Sequence, residues 1–151
     1  MVEYFGIFFD KENSKKIIDN EKVHLDKLPN NFHCTFCYKP DSLKLFNEVA
    51  GKTIDIALIG YACDGKNSGY KVDFSTSLKK YFKNFDKQGN VKIPHLTTSL
   101  SKDGKAVDTA NLNFINLNEP ILLKGRFGYF IRNNNKAYIS FTKVEVEELN
   151  N

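Results

Sequence analysis

The stretch FHCTFCYKP, residues 32–40, is typical of a strand with one apolar and one polar face. Alternate side chains of an extended chain lie on the same face of a sheet. The face that can be buried consists of Phe32, Cys34 and Phe36. The opposite face consists of His33, Thr35 and Cys37. It presents an imidazole and a hydroxyl roughly 7 Å apart, twice the rise per residue, and this pair is suited to binding a phosphate.

The stretch VKIPHLTTSL, residues 91–100, repeats the arrangement. His95 and Thr97 share one face of the predicted strand with Ser99, whereas Leu96 and Leu100 share the other. The chain has three histidines, and two of them have a threonine at the second following position. The repetition indicates two strands that present the same pair of polar side chains.

The rest of the chain predicts more strands and two helices. The predicted strands, rich in β-branched and aromatic residues, cover residues 2–9, 32–38, 54–63, 69–74, 91–100, 121–131 and 136–146. The last two form a predicted hairpin about residues 133–135. One predicted helix is capped by Asp41 and stopped by Gly51, and the other begins near residues 75–77 and ends before Gly89. This mixture indicates an α+β fold with antiparallel strands.

The composition is typical of one folded domain. Hydrophobic residues make up 41% of the 151 residues and charged residues 26%, and no Pro/Gly-rich linker divides the chain, so we predict a single domain over residues 1–151. The apolar run at residues 2–9 is too short to span a membrane and has no basic leader. Three cysteines do not make a closed disulfide framework, so we expect free thiols and a cytoplasmic location, with no membrane. The net charge of +4 is compatible with an anionic ligand.

The motifs His33-Cys34-Thr35 and His95-Leu96-Thr97 make the chain similar to the two-histidine (2H) phosphoesterase superfamily. The signature of that superfamily is a pair of HxT or HxS motifs on two central strands. The segment SLSKDGKAVDTANLNF, residues 99–114, also resembles the Gly-Lys-x-Val-Asp-Ser/Thr segment that follows the second motif in RNA-repair members. The resemblance covers most of the chain in length and order of elements.

The resemblance implies a bilobal 2H phosphoesterase-like fold. In it, two pseudo-symmetric antiparallel β lobes flank a central groove, with helices outside, and each lobe contributes one HxT strand to the groove. The implied substrates are phosphodiesters of nucleotides: 2′,3′-cyclic phosphates, 2′-5′ linkages, and small cyclic or linear oligonucleotides. The resemblance implies no metal and no cofactor. In size the chain is also similar to compact stand-alone phage enzymes that destroy host immune nucleotide messengers (anti-CBASS nucleases).

The chemistry of phosphodiester cleavage explains why two histidines are needed. One group removes a proton from the nucleophile, which is water or an adjacent ribose 2′-hydroxyl, and another delivers a proton to the leaving oxygen. Imidazole performs both tasks near neutral pH. We therefore expect His33 and His95 to be the catalytic pair, in either order. Thr35 and Thr97 would donate hydrogen bonds to the non-bridging phosphate oxygens.

Three functions fit these expectations. The first is a metal-independent phosphodiesterase that cleaves small linear or cyclic oligonucleotides such as host immune messengers. The second is an RNA-repair or RNA-processing enzyme that opens 2′,3′-cyclic ends, which the likeness after His95 favours. The third is a protein that sequesters a nucleotide without cleaving it. None of the three calls for a protein partner.

Base recognition is assigned to aromatic side chains, because nucleobases stack on aromatic rings. We expect Tyr4 and Tyr129 to contact the substrate and Arg126 to bind its phosphate. Further candidates for these two roles are Tyr38, Tyr61 and Arg132.

Two other features have competing interpretations. Cys34 and Cys37 form a CxxC that, with Cys63 and a histidine, could be read as a zinc site, or alone as a redox pair. On a strand, residues three apart face opposite ways, so we predict no metal site here. His24 has no partner motif and is interpreted as a structural or surface residue.

Overall fold

The computed structural model describes residues 1–21 and 23–145 as one antiparallel sheet with short helices. The strands are β1 Val2–Phe8, β2 His33–Tyr38, β3 Thr53–Cys63, β4 Asn67–Phe74, β5 His95–Leu100, β6 Ile115–Asn133 and β7 Lys136–Ser140. The α-helices are α1 Lys11–Asn20 and α2 Lys44–Asn47, and the 3₁₀ helices are Thr76–Tyr81 and Ala106–Asn111. The sheet therefore dominates the architecture.

The sheet curls until its two edge strands meet. The strand order is β2-β1-β6-β3-β4-β5, with β7 paired to β6, and all pairs are antiparallel. Although β2 and β5 are the two ends of this order, they contact each other. The segment after the first 3₁₀ helix also contacts β2, since the Lys83 backbone N–H donates to the Phe36 carbonyl at 2.7 Å. The sheet is thus a nearly closed, barrel-like structure, and the seam brings both HxT strands side by side.

The interior of the curved sheet is packed with aromatic and aliphatic side chains. Phe5, Phe36 and Phe127 are fully buried, and the ring centroids of Phe36 and Phe127 are 5.1 Å apart. Burying one such ring contributes about 1.5–3 kcal/mol. Cys34 and Leu96, the central residues of the two HxT motifs, are also fully buried. The alternation is therefore observed through both HxT motifs, because the core takes the central residue of each motif and leaves its histidine and threonine outside. The expected position of Ser99 beside His95 and Thr97 is wrong, since Ser99 is fully buried and Leu100 is half-buried; β5 is irregular here because its register with β4 shifts between Ser68 and Gly69.

The strands agree with the sequence pattern except at some ends. β5 begins at His95 rather than at residue 91, because Pro94 has no N–H to donate to the neighbouring strand. Its carbonyl still accepts from the Val72 N–H of β4 at 2.9 Å. β6 is longer than expected and spans 19 residues. The predicted final strand is observed as β7, Lys136–Ser140, but its expected continuation is wrong for residues 141–145, which are not in a strand; residue 146 lies outside the described residues.

The helix predictions are largely wrong. Asp41 caps no helix, since α2 has only four residues and Leu43 as its N-cap, although Gly51 does stop the segment with a φ of 87°. The second predicted helix is a single 3₁₀ stretch, Thr76–Tyr81. The sequence pattern missed α1, which the Asp10 carboxylate caps by accepting from the Asn13 N–H. Only Asn13 and Ile17 of α1 are buried, so its apolar periodicity is too weak to reveal a helix.

No helix among residues 1–21 and 23–145 is long and apolar enough to cross a membrane.

Candidate functional site

A cavity of about 420 Å³ opens where β2 and β5 meet, and the histidine and threonine of both HxT motifs line it. Its walls include His33, Thr35, His95 and Thr97. This volume lies in the usual range for small-molecule sites. The other lining residues are Tyr4, Tyr38, Asn84, Phe85, Lys92, Ala106 and Val107. The near-closure of the sheet thus brings together two motifs that are far apart in sequence.

The two imidazoles are held in the same way. The Nδ1 atom of His33 lies 3.0 Å from the carbonyl oxygen of Asn31, and the Nδ1 atom of His95 lies 2.8 Å from that of Ile93. A carbonyl oxygen only accepts, so Nδ1 of each ring carries the proton and donates. In the neutral ring Nε2 is then the free acceptor, and in the charged ring Nε2–H is a donor. Each imidazole is therefore prepared to take up or release a proton at Nε2.

Burial lowers the pKa of both histidines. Desolvation is the main cause for His33, and its contact with the Asn31 carbonyl opposes the shift. The pKa of His95 is lowered first by desolvation and further by the positive charges of Lys92 and His33. The charge of His33 is the smallest of these causes of the lowered pKa of His95.

The two threonines differ in their surroundings. The Thr97 hydroxyl donates to the Thr109 hydroxyl oxygen at 2.8 Å, and Thr109 is fully buried. The Thr35 carbonyl accepts from Asn84 Nδ2 at 3.4 Å. The Thr97 side chain is thus tied to the segment that follows the second motif.

Tyr4 lies in the cavity against the first histidine. Its ring centroid is 4.7 Å from that of His33, and its hydroxyl oxygen is 3.4 Å from His33 Nδ1. Phe130 stacks on Tyr4 with a centroid distance of 5.0 Å. Tyr4 therefore restricts the orientation of the His33 ring and occupies part of the cavity wall.

The other proposed substrate-binding residues lie elsewhere. Tyr129 is fully buried in the core, where its hydroxyl donates to Asn47 Oδ1 at 2.7 Å. The Arg126 Nε–H donates to the Gly51 carbonyl at 2.9 Å, and its guanidinium carbon lies 4.7 Å from the centre of the Phe141 ring. Neither residue lines the cavity between β2 and β5. Both belong to the long strand β6, and the strand period alone does not reveal on which side of a curled sheet a residue lies.

The remaining aromatic and arginine candidates are divided. Tyr38 lines the cavity and is 58% exposed at its rim. Tyr61 lies outside it and donates to the buried Glu21 carboxylate at 3.2 Å. Arg132 pairs with Glu3 at 3.4 Å. Of these three residues, Tyr38 is the one placed to contact a ligand of the cavity.

Several residues of the cavity have no counterpart in the sequence prediction. Lys92 supplies a positive charge beside His95, and Phe85 presents a ring that is 48% exposed. Ala106 and Val107 form part of the wall at the start of the second 3₁₀ helix. Lys92 and Phe85 lie in irregular backbone, so no periodicity reveals them, whereas the likeness of residues 99–114 to the family segment is a signal for Ala106 and Val107.

The cysteines do not form a shared site. Cys34 is buried, Cys37 is half-buried and Cys63 is exposed, and all three are free. Burial raises the pKa of the Cys34 thiol to about 12, which disfavours the thiolate that a metal or a redox exchange requires. Within residues 1–21 and 23–145, no group of three or more His, Cys, Asp or Glu side chains is arranged to hold a metal ion.

His24 lies outside the cavity. Its Nδ1 atom is 3.6 Å from Glu21 Oε2, and its side chain is about half exposed. A larger groove of about 1120 Å³ lies on another part of the sheet and includes Arg126, Lys124 and Asp55. Lys124 Nζ and Asp55 Oδ1 are 2.9 Å apart, so these two charges of that groove pair with each other. The paired histidines favour the smaller cavity as the functional site.

Comparison with known proteins does not place the chain in a family. No family model matches the sequence, and no curated protein matches it. The functional conclusion therefore rests on the cavity and on the two motifs within it.

Proposed function

We propose that this chain is a metal-independent phosphodiesterase of the 2H type that cleaves small linear or cyclic oligonucleotides. The observation that supports it is the pair of matched imidazoles, each with Nδ1 on a backbone carbonyl and each followed by a threonine, in one cavity. A core or surface histidine has no need for a second copy in the same arrangement. Acid–base chemistry on one phosphodiester uses two such groups, one that takes up a proton and one that releases a proton.

The proposed reaction uses Nε2 of both rings. One imidazole takes the proton of the nucleophile, which is water or the adjacent 2′-hydroxyl, as the nucleophilic oxygen bonds to phosphorus. The other imidazolium gives its proton to the leaving oxygen as the P–O bond breaks. Thr35 and Thr97 donate to the non-bridging oxygens, where charge develops. Lys92 adds a positive charge at the same place.

The rim of the cavity supports a nucleotide as the substrate. Tyr38 and Phe85 are exposed aromatic residues at the cavity, and each ring offers a surface for stacking a base. Val107, 57% exposed, contributes an apolar surface to the same cavity. Apolar surfaces around a phosphate site suit a phosphodiester with bases attached. Host immune nucleotide messengers are candidate substrates, because they are small phosphodiesters that carry bases.

The strand arrangement supports the bilobal 2H architecture only through the curl of the sheet, because the 2H signature places its HxT motifs on central strands. Each of the two HxT motifs lies on an edge strand of the sheet, one on β2 and one on β5, and the strands meet at the cavity. We infer that they represent the two pseudo-symmetric halves. Three free cysteines suit a reducing compartment, and we propose the cytoplasm as the location.

A second candidate is an RNA-repair phosphodiesterase that opens 2′,3′-cyclic ends. It is favoured by the segment 99–114, because Ala106 and Val107 of that segment line the cavity. A longer RNA would contact more lysines, so its cleavage would depend steeply on salt. A small cyclic dinucleotide with few phosphates would show a shallow salt dependence.

The experiment is product analysis by chromatography and mass spectrometry, in the presence of EDTA. The substrates are cyclic di- and trinucleotides, 2′-5′ oligomers and an RNA ending in a 2′,3′-cyclic phosphate. We expect the wild-type protein to cleave at least one of them, and His33→Ala and His95→Ala each to abolish cleavage. His24→Ala is the matched control, because His24 lies outside the cavity and should leave the rate unchanged.

Three outcomes contradict the proposal. Loss of activity in EDTA would show that a metal takes part. Full activity in either cavity variant would remove the paired mechanism. Binding of a nucleotide without turnover would instead support a protein that sequesters its ligand.

A further inference from the structure

We propose that Thr109, together with Asn67, positions the Thr97 hydroxyl for the anion in the cavity. This inference rests on the proposed function, in which Thr97 donates to a phosphate oxygen. Thr109 and Asn67 are positioning residues, since they act through Thr97 rather than on the substrate. They belong to the second 3₁₀ helix and to the start of β4.

Three side chains form a continuous hydrogen-bonded chain that leads away from the cavity. Asn67 Nδ2 donates to Thr109 Oγ1 at 2.9 Å, and Thr97 Oγ1 lies 2.8 Å from the same oxygen. Asn67 Nδ2 also donates to the Lys105 carbonyl at 2.7 Å, and the Asn67 N–H donates to Asp64 Oδ1 at 2.8 Å. The amide at the far end of the chain is therefore fixed in one orientation.

The chain is shielded from water. Thr109 is fully buried and Asn67 is 2% exposed, so water does not compete for their hydrogen bonds. Gly69, which lies opposite Thr97 in the ladder, makes this burial possible. A Cβ atom at Gly69 would lie 2.6 Å from the Thr109 methyl carbon and 2.6 Å from the Leu96 carbonyl oxygen. The absence of a side chain at Gly69 leaves the space that Thr109 fills.

The direction of the hydrogen bonds explains how the chain would act. In the structure the Thr97 hydroxyl donates to Thr109. A phosphate oxygen in the cavity is a stronger acceptor, so the Thr97 proton turns to it and the Thr109 hydroxyl then donates to Thr97. All donors of the chain, from the Asn67 amide to the anion, then point the same way. Hydrogen bonds aligned in this manner polarise and strengthen one another.

The first motif has a different arrangement. Asn84 Nδ2 contacts the Thr35 backbone carbonyl and not its hydroxyl. Among the described residues, the Thr35 hydroxyl has no side-chain partner comparable to Thr109. The two threonines are therefore not equivalent, and the geometry assigns the more rigid donor to the second motif.

The test is a double-mutant cycle on Thr97 and Thr109, with binding of inorganic phosphate measured by calorimetry. Thr109→Val removes the hydroxyl and keeps the volume, whereas Thr109→Ser removes the methyl group and keeps the hydroxyl. We expect Thr109→Val to weaken phosphate binding about ten-fold, as for loss of one neutral hydrogen bond at the upper end of the usual range, and Thr109→Ser to restore near wild-type binding. In a Thr97→Val background, Thr109→Val should change nothing further.

The same variants should affect kcat and KM to different extents. For a substrate that the wild-type protein cleaves, we expect Thr109→Val to lower kcat more than it raises KM, because the charge on the phosphate oxygens grows in the transition state. Thermal unfolding of each variant reports its folding. If Thr109→Val does not fold, Thr109→Ala is compared with Thr109→Ser, since these two differ only in the hydroxyl.

The outcomes separate the two proposals. An equal loss in both Thr97 backgrounds, a loss in Thr109→Ser as large as in Thr109→Val, or no phosphate binding by the wild-type protein would each overturn the positioning role. Phosphate binding that follows the expected cycle without cleavage of any substrate would contradict the phosphodiesterase proposal alone. The calorimetric test needs no turnover, so the failures are distinguishable.

Discussion

The buried carboxylate of Glu21 links the segment after α1 to β4 and β5, and replacing it should cost substantial stability. Glu21 is 6% exposed. Its Oε1 atom accepts hydrogen bonds from Ser68 Oγ at 2.5 Å and from Thr98 Oγ1 at 2.6 Å. Thr98 directly follows Thr97 on β5, so the contact holds the strand of the second motif from outside the cavity.

The magnitude follows from these contacts. A hydrogen bond to a charged group contributes about 1.5–3 kcal/mol, so loss of the two short bonds alone costs at most about 6 kcal/mol. The Tyr61 hydroxyl at 3.2 Å and the Ser99 hydroxyl at 3.4 Å are longer and weaker donors to the same oxygen. Ser68 and Thr98 regain part of this energy in the variant, because their hydroxyl oxygens are 2.8 Å apart and one can donate to the other once Glu21 no longer accepts both protons. Among the described side chains, Oε2 of Glu21 has no hydrogen-bond partner, so removing it relieves a desolvation cost. We expect Glu21→Ala to lower the free energy of unfolding by about 3 kcal/mol and Glu21→Gln, which keeps one acceptor, by about 1 kcal/mol.

Urea denaturation followed by fluorescence or circular dichroism measures both changes. Glu119→Ala, at an exposed position of β6, is the control and should change the free energy of unfolding by less than about 0.5 kcal/mol. For a domain of this size, about 3 kcal/mol corresponds to roughly 6–12 °C in Tm. An unfolding free energy of Glu21→Ala that equals the control would refute this account of the cluster.

Two further predictions concern the cavity. Because burial lowers the pKa of both His33 and His95, the form with one proton between them is most abundant on the acid side of the ordinary histidine value. The pH profile of kcat/KM should therefore be bell-shaped with its optimum below about pH 6.5. Lys92→Met should move the pH optimum upward, because the lysine charge disfavours protonation of His95. Steady-state rates from pH 4 to 9 measure both optima, and a wild-type optimum above pH 7 would contradict the lowered pKa values. Tyr38→Ala and Phe85→Ala should each raise KM about ten-fold, since stacking one base contributes about 1–3 kcal/mol. Tyr38→Phe is the control that keeps the ring, and unchanged KM values in both alanine variants would exclude stacking at the rim.

Much of the sheet could be predicted because strand periodicity is local. The alternation in FHCTFCYKP and in PHLTTSL already separates the core residues Cys34 and Leu96 from the histidines and threonines beside them. The helices could not be predicted in the same way, since α1 buries only Asn13 and Ile17 and depends on its contact with the sheet. There the Asn13 side-chain oxygen accepts from the Lys124 N–H at 2.9 Å, a partner more than a hundred residues away.

The sequence alone determined that His33, Thr35, His95 and Thr97 face away from the core, because the two-residue period of a strand needs no tertiary information. It did not determine that Ser99 is buried, because the register of β5 with β4 shifts at that point. Only the tertiary structure decided that β2 and β5 meet. They are the two ends of the strand order, and the sheet must curl to bring His33 and His95 to one cavity. The same closure excludes Tyr129, admits Tyr4 and places Thr109 against Thr97. Contacts of this kind depend on the curvature of the whole sheet, which no short stretch of sequence specifies.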